Sequence, residues 1–247
     1  MKPAAATILV DHYRDAALAR ASNVHYRELA IHALPGLHEY AFEHFFHHCR
    51  HGASVLELAA GSGAMSLRLA DAGYRVTATD YVTENFRLHD SVPFFASDLN
   101  RDFATGREGS HDAVCAMEII EHLENPRHFV RQCGAILKPG GMLLLSTPNL
   151  DNAASMTTFL RGDTFQWFSD ADYAHDGHIT PLSQWQILKC LAEAQLQPVW
   201  QGSFGDPLQW LRGSPRMLLL SRVMARLMVR QPALGGQIYL VIARKPC

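Results

Sequence analysis

The sequence predicts an α/β fold in which a parallel sheet carries helices on both faces. Three observations predict it. From Gly52 onward short apolar runs alternate with helical segments, the runs are almost continuously apolar, and breaker residues separate them. Alternation of this kind builds βα units, and a strand buried on both faces has no polar side to alternate with.

The elements follow in order. Residues 1–50 read as a helical cap, with Leu29, Leu34, Leu37, Tyr40, Phe42, Phe45 and Phe46 among polar positions and no β-type alternation. Then come "ASVLELA" and a helix over 64–72, "YRVTATD" and a helix over 83–90, "VPFFASD", "HDAVCAM" and a helix over 118–137, and "GGMLLLSTP". "KPGG" at 138–141 ends the last of these helices, because proline cannot continue it and glycine adopts positive φ. Thr180 and Pro181 read as the N-cap and first turn of a helix through "LSQWQILKCLAEAQ". Two further strand-like runs, "LQPVWQGSF" and "GGQIYLVIARKP", complete a single domain. Its parts are the cap (1–50), a cofactor-binding core (52–149), a substrate-side insert (150–180) and a basic amphipathic insert (207–234).

Composition narrows the function classes. With 247 residues, 48% hydrophobic, 19% charged and a net charge of −2, the chain is an ordinary globular protein. It has no overall electrostatic reason to bind nucleic acid. Five cysteines without a C-x-x-C pair suggest a reduced, cytoplasmic setting. Asp11, His12, Arg14 and Asp15 interrupt the N-terminal apolar stretch, and nothing approaches the roughly 18 to 20 apolar residues of a membrane span. A protein neither exported nor threaded through a bilayer is expected.

Gly61 and Gly63 sit at the first strand-to-helix turn, where the lack of a Cβ lets backbone approach a ligand. A tight turn alone would explain them equally well. Acidic groups at the ends of successive strands add weight: Glu57 late in the first, Asp80 ending the second, Asp98 after the third. Glu57 repels a pyrophosphate and suits a cation, which favours S-adenosylmethionine over NAD. "GSGAM" also lacks the third glycine of G-x-G-x-x-G. Two alternatives stay open, a nicotinamide-dependent Rossmann oxidoreductase and a non-catalytic cofactor-binding protein.

The motifs "VLELAAGSG", "VTATD", "ASDLN", "DAVCAMEIIEHLENP" and "LKPGGMLLLSTPN" span about 100 residues and resemble, in order and spacing, the class I S-adenosylmethionine-dependent methyltransferases. The resemblance implies a Rossmann-like, seven-stranded, mostly parallel sheet with a reversed final strand. It implies that Glu57 and the Gly61 and Gly63 backbone hold the methionine moiety, Asp80 the ribose, and Asp98 with the Leu99 N–H the adenine. Carbonyls from Cys115 to Met117 would face the ligand's amino group. Ala59 stands where the family usually has glycine.

On a helix beginning near residue 118, Glu118, Glu121 and His122 would share one face. They read as first-turn anions beside a packed histidine, as a general base in His122 assisted by Glu121, or as ligands of Mg²⁺, Mn²⁺ or Zn²⁺. The metal reading needs a further ligand, for which His175 and His178 are candidates. E-x-x-E-H followed by "TPN" and a later histidine resembles the ubiquinone-biosynthesis O-methyltransferases and the small-RNA terminal 2′-O-methyltransferases, which implies a metal binding vicinal hydroxyls. His44, His47, His48 and His51 read as solvated surface.

In the 150–180 insert, Phe165, Trp167, Phe168 and Tyr173 either wall an acceptor pocket or pack among themselves. The 207–234 insert carries Arg212, Arg216, Arg222, Arg226 and Arg230 and no acidic residue. It is expected to lie on an anionic membrane surface, as a peripheral element on the inner face, or to pack its Leu/Met stripe on the protein. The expected reaction is methyl transfer to a hydroxyl of a small-molecule or lipid-linked acceptor.

Overall fold

A computed structural model describes residues 24–247 apart from 212 and 229–231, so the expectation for residues 1–23 and for Arg212 and Arg230 lies outside the described residues. The chain opens on a hairpin, β1 (His25–Tyr26) and β2 (Leu29–Ala30), followed by α1 (Leu37–His48). The central sheet takes β3 (Ser54–Leu58), β4 (Arg75–Asp80), β5 (Phe94–Ala96), β6 (His111–Ala116), β7 (Leu137–Pro148), β8 (Gln197–Phe204) and β9 (Ile238–Arg244). Its order is β5-β4-β3-β6-β7-β9-β8, with β9 antiparallel to both neighbours and the other pairings parallel. The seven-stranded, mostly parallel sheet with a reversed last strand is therefore present.

Between the strands run α2 (Ala64–Asp71), α3 (Pro126–Ile136), α4 (Ala153–Gly162), α5 (Asp170–Asp176), α6 (Gln184–Glu193) and α7 (Pro215–Leu227). Successive side chains of a strand point to opposite faces, and the core divides accordingly. Leu56, Leu58, Val114, Leu143 and Leu145 pack with Phe129, Val130 and Ile136 of α3 and Ile187 and Leu191 of α6. Val55, Ala113, Cys115, Leu144 and Leu240 pack with Leu37 and Phe45 of α1 and Met65 and Leu69 of α2.

Five local readings are corrected. The cap is not wholly helical: the hairpin precedes α1, and Leu29 and Ile31 pack against Ala64 at the start of α2. Residues 83–90 hold one 3-10 turn, Thr83–Asn85. The helix expected from 118 starts at Pro126, capped by the Asn125 side chain, which accepts from the His128 N–H. Thr180 and Pro181 do not open α6; Ser183 does, in a capping box with Gln186. His44 is also not simply solvated, since its ring stacks on Trp200 at 4.1 Å. All five cysteines are free thiols.

At the amino edge of the sheet β3 and β6 are clamped by Asp112. Its Oδ2 accepts from the Ser54 N–H (2.8 Å) and Oγ (2.7 Å), and Oδ1 meets Lys138 Nζ at 3.0 Å. The Ser54 backbone N–H, ahead of smaller contributions from its hydroxyl and Lys138, holds the Asp112 carboxyl well below the usual carboxylate range. A group with a depressed folded pKa stabilises fully above its unfolded value and loses that contribution as pH falls toward the folded one. Asp112→Asn is expected to lower stability by about 1.5 kcal/mol at pH 7. In urea titrations the gap to the parent should close below about pH 4; a gap that persists at low pH would refute the assignment.

Candidate active site

The strand order reverses direction between β3 and β6, and the crevice outside their carboxyl ends is where open α/β sheets take ligands. The β3–α2 turn forms its floor. Ala59, Gly61 and Gly63 all have positive φ, at 55°, 53° and 92°. The two glycines serve different ends. A Cβ on Gly61 would meet nothing within 4 Å, so the space above it is open, whereas one on Gly63 would sit 2.9 Å from Phe86 and Leu88. Ala59 adopts the left-handed conformation that glycine takes without strain.

Asp80, at the end of β4, closes the turn: one carboxylate oxygen accepts from the Gly61 N–H (2.8 Å) and the other from the Val82 N–H (2.9 Å). Burial raises its pKa, opposed by those backbone donors. Glu57 is buried on the α2 side of β3, and its Oε2 accepts from the Ser66 hydroxyl. Asp98 accepts from the Asn100 N–H (2.9 Å), Leu99 is buried, and Met117 packs at the end of β6. The expected residues Glu57, Gly61, Gly63, Asp80, Asp98, Leu99 and Met117 thus all lie along one edge of the sheet.

Glu118, Glu121 and His122 lie along that edge too, but not on a helix. Glu118 is in the left-handed region (φ 48°), and Ile120–His122 is a single 3-10 turn. Strain of this kind in a non-glycine residue concentrates at functional sites. Ser146 and Thr147, consecutive in β7 and so pointing to opposite faces, divide the two carboxyls. Ser146 Oγ donates to Glu118 Oε1 (2.7 Å) and Thr147 Oγ1 to Glu121 Oε2 (2.9 Å). Burial raises both carboxyl pKa values, and for Glu121 the charge of Glu118 adds to it.

His178 completes the group. The Ile179 and Thr180 N–H groups donate to the Glu121 carbonyl (3.1 and 2.9 Å), which swings the insert back over the 3-10 turn. One donor atom each from Glu121, His122 and His178 lies within 4.8 Å of the others. Glu118, the fourth residue expected there, is not in that trio; its Oε1 accepts from the Ser146 hydroxyl. Glu121 Oε1 is buried without a hydrogen-bond partner and lies 3.8 Å from His122 Nε2. Burial, with help from His178, lowers the His122 pKa to about 4, so the contact is not an ion pair at neutral pH. His178 Nδ1 donates to the Trp167 carbonyl at 2.7 Å; a carbonyl only accepts, so Nδ1 carries a proton and Nε2 is the nitrogen turned to the rest of the group. His175 is not part of the trio.

Beside His178 lies a cavity of about 390 Å³ lined by Phe165, Phe168, Tyr173 and Ile179, with Asp163 and Asp170 among its walls. Three of the four expected aromatic residues line it. Trp167 instead acts through its backbone, in a left-handed conformation with φ 72°.

The methyltransferase domain family model matches residues 25–201, most of the chain. The chain belongs to the methyltransferase domain family. A ubiquinone biosynthesis O-methyltransferase of Xanthomonas campestris is 40% identical over 110 residues, 42% of this chain and 46% of that protein. The match thus spans about half the length of this curated relative. An S-adenosylmethionine-dependent methyltransferase of Archaeoglobus fulgidus superposes with a TM-score of 0.59 at 18% identity, over 83% of this chain and 90% of that one. The [4+2]-cyclase SpnF gives 0.60 at 14% identity, over 97% and 94%. At such identities the two structures establish the fold of this methyltransferase domain.

Sequence reasoning missed Ser66, Ser146, Thr147 and the Trp167 carbonyl, the groups that hold the site residues in place. Ser146 and Thr147 lie within "LSTPN" and follow β7's alternation; Ser66 and Trp167 carry no comparable signal. Ala59→Gly trades about 1–2 kcal/mol of left-handed strain for about 0.4–1 kcal/mol of unfolded-chain entropy. The melting temperature is expected to rise by about 1–2 °C; a fall on thermal melting would refute strain at this turn.

Proposed function

We propose that this chain transfers a methyl group from S-adenosylmethionine to a hydroxyl oxygen of a small-molecule or lipid-linked acceptor. The observation that carries the reading is the meeting of Glu121, His122 and His178 along the same sheet edge as the open space over Gly61. The crevice suits the cofactor: nothing stands within 4 Å of a Cβ on Gly61, and Asp80 and Glu57 bring carboxyls to the two strands beside that turn. Glu57 and the Gly61 and Gly63 backbone would hold the methionine end, Asp80 the ribose, Asp98 and the Leu99 N–H the adenine, and the Met117 carbonyl the amino group. Bound there, the cofactor supplies the electrophilic sulfonium methyl.

The protein's own work is alignment and proton removal. His122, neutral at physiological pH, takes the hydroxyl proton, and the Glu121 carboxyl stands 3.8 Å from its Nε2. The ubiquinone biosynthesis O-methyltransferase likeness supports an oxygen acceptor, and the aromatic walls beside His178 support an apolar or aromatic one. Mass spectrometry after incubation with methyl-labelled cofactor and candidate phenols or lipid extracts tests the reaction. His122→Asn is expected to lower kcat about 10²- to 10⁴-fold, leaving the S-adenosylhomocysteine Kd unchanged; an unaltered kcat would sink the base assignment.

A divalent metal is the second reading, favoured by the unpartnered Glu121 Oε1 and by the Nδ1 donation of His178 to a backbone carbonyl, the kind of contact that orients a ligating imidazole. Glu121, His122 and His178 would hold Mg²⁺, Mn²⁺ or Zn²⁺, with Glu118 as a buried neighbour; the ion would supply Lewis acidity toward an acceptor oxygen. Turnover that survives chelation unchanged, with no gain on restoring each ion, removes this reading.

The same proposal includes peripheral attachment of a cytoplasmic protein to the inner membrane face. No described helix is long and apolar enough to cross a membrane. On α7, however, Leu219, Val223 and Leu227 are exposed beside Arg216, Arg222 and Arg226, and the packed neighbour α4 exposes Phe159 and Leu160. An arginine-flanked apolar stripe suits an anionic lipid surface. Sedimentation with phosphatidylglycerol vesicles at low salt should be lost in Leu219→Asp/Leu227→Asp; a parent chain left in the supernatant overturns the attachment.

A further inference from the structure

We propose that Asp163 and Asp170 make the cavity beside His178 selective by charge, so that it prefers an aromatic hydroxyl acceptor bearing an ammonium group over the carboxylate analogue of the same shape. The inference rests on the methyl-transfer reading above and goes beyond it in naming the class of acceptor.

The cavity walls carry two kinds of group that attract a cation. Phe165, Phe168 and Tyr173 supply aromatic rings, whose faces are negative, and Asp163 and Asp170 supply carboxylates. No lysine or arginine is among the described residues that line it. Rings and carboxylates around one space are the groups that recognise an ammonium ion. At the other end of the same space stands His178, its ring 4.9 Å from that of His122. A hydroxyl at that end lies beside the proposed base, while the rest of the acceptor lies among the aromatic rings and the acids. Behind His178 the fully buried Glu121 leaves Oε1 without a hydrogen-bond partner, a polar atom that the chain itself does not satisfy.

The positions of the acids separate a structural role from a recognition role. Asp172, in the same segment, is engaged with the Ser169 N–H and hydroxyl in a capping box. Asp163 and Asp170 have no side-chain hydrogen bond or ion pair among the described residues. Asp170 stands in the first turn of α5, where an anion suits the helix dipole whatever the cavity holds. Asp163 has no such local reason. It closes α4 at its C-terminus, where the dipole disfavours an anion, with a φ of 58° that glycine or asparagine adopts more easily. A residue that breaks local preference twice without a partner marks a functional position. Both acids are exposed, so water and salt screen them and the selectivity is a matter of degree.

Tyramine, tyrosol and 4-hydroxyphenylacetate place an ammonium, a hydroxyl and a carboxylate on the same phenol. In ligand-observed NMR titrations of the full chain, Kd should rise in that order, with about tenfold between first and last at low salt. The gap should narrow as NaCl is raised to about 0.5 M. With methyl-labelled cofactor, kcat/KM should fall in the same order. Asp163→Asn/Asp170→Asn should bring the three Kd values together and leave that of tyrosol unchanged. Asp163→Asn alone should keep or raise the melting temperature, because asparagine suits a left-handed cap, so its lost selectivity is read on a folded protein. A merely structural pair of acids would change stability without moving the ratio. Equal Kd values for the three phenols, a gap that survives in the double variant, or no binding by any of them would each overturn the inference and leave the methyl-transfer reading to its own test. Binding in the expected order with no phenol methylated would overturn the reading of the cavity as an acceptor site and leave its charge selectivity intact.

Discussion

The parallel pairing of β3 with β6 is the contact on which the site depends. Val55 to Leu58 lie against Ala113 to Ala116, and β4 and β6 leave β3 in opposite directions. A crevice opens at the carboxyl ends because the helices that follow must go to opposite faces of the sheet. Asp112 fastens the same two strands at the other edge, 58 residues apart in sequence from its partner Ser54. Much of the candidate site hangs from this pairing: the Gly61 turn continues β3, Asp80 closes it from β4, and Glu118 to His122 continue β6. A shift of one residue in the register would turn Glu57 from α2 toward α3 and separate it from Ser66.

The strands and the glycine turn were legible because their signals are local. An apolar run between breakers, followed by glycines, needs no knowledge of the rest of the chain. "EIIEHLENP" was misread for an instructive reason. Its i, i+3, i+4 spacing fits a helix, but Asn125 and Pro126 carry the stronger mark of a helix start, a side-chain cap followed by a proline whose missing N–H costs nothing there. Reading the cap before the periodicity would have placed the start of α3 correctly and left 118–122 as a turn. At α6 the same holds: Ser183 and Gln186 form the S-x-x-Q box that starts the helix, two residues beyond the Thr180–Pro181 pair that also has the form of a start.

The convergence of Glu121, His122 and His178 was only half legible. His178 lies 56 positions beyond His122 and arrives through backbone donation from Ile179 and Thr180 to the Glu121 carbonyl. Such a contact depends on how the insert folds back, which no local pattern encodes. The exclusion of Glu118 depends equally on tertiary structure, since Ser146 and Thr147 pull the two carboxyls to opposite faces. The residue types in the sequence named the candidates, and β7 selected among them.

The same edge holds buried acids of two kinds. Glu57 and Asp80 face a turn rich in backbone N–H groups, and the deficit there is of a full positive charge. Glu121 faces two imidazoles, one of which donates from Nδ1 to a backbone carbonyl, and its own Oε1 is left without a hydrogen-bond partner. Under the proposed reading, a sulfonium ligand with an ammonium group would meet the first need and an acceptor hydroxyl yielding its proton the second. SpnF, a [4+2]-cyclase on a similar fold, shows that the sheet alone does not decide the reaction.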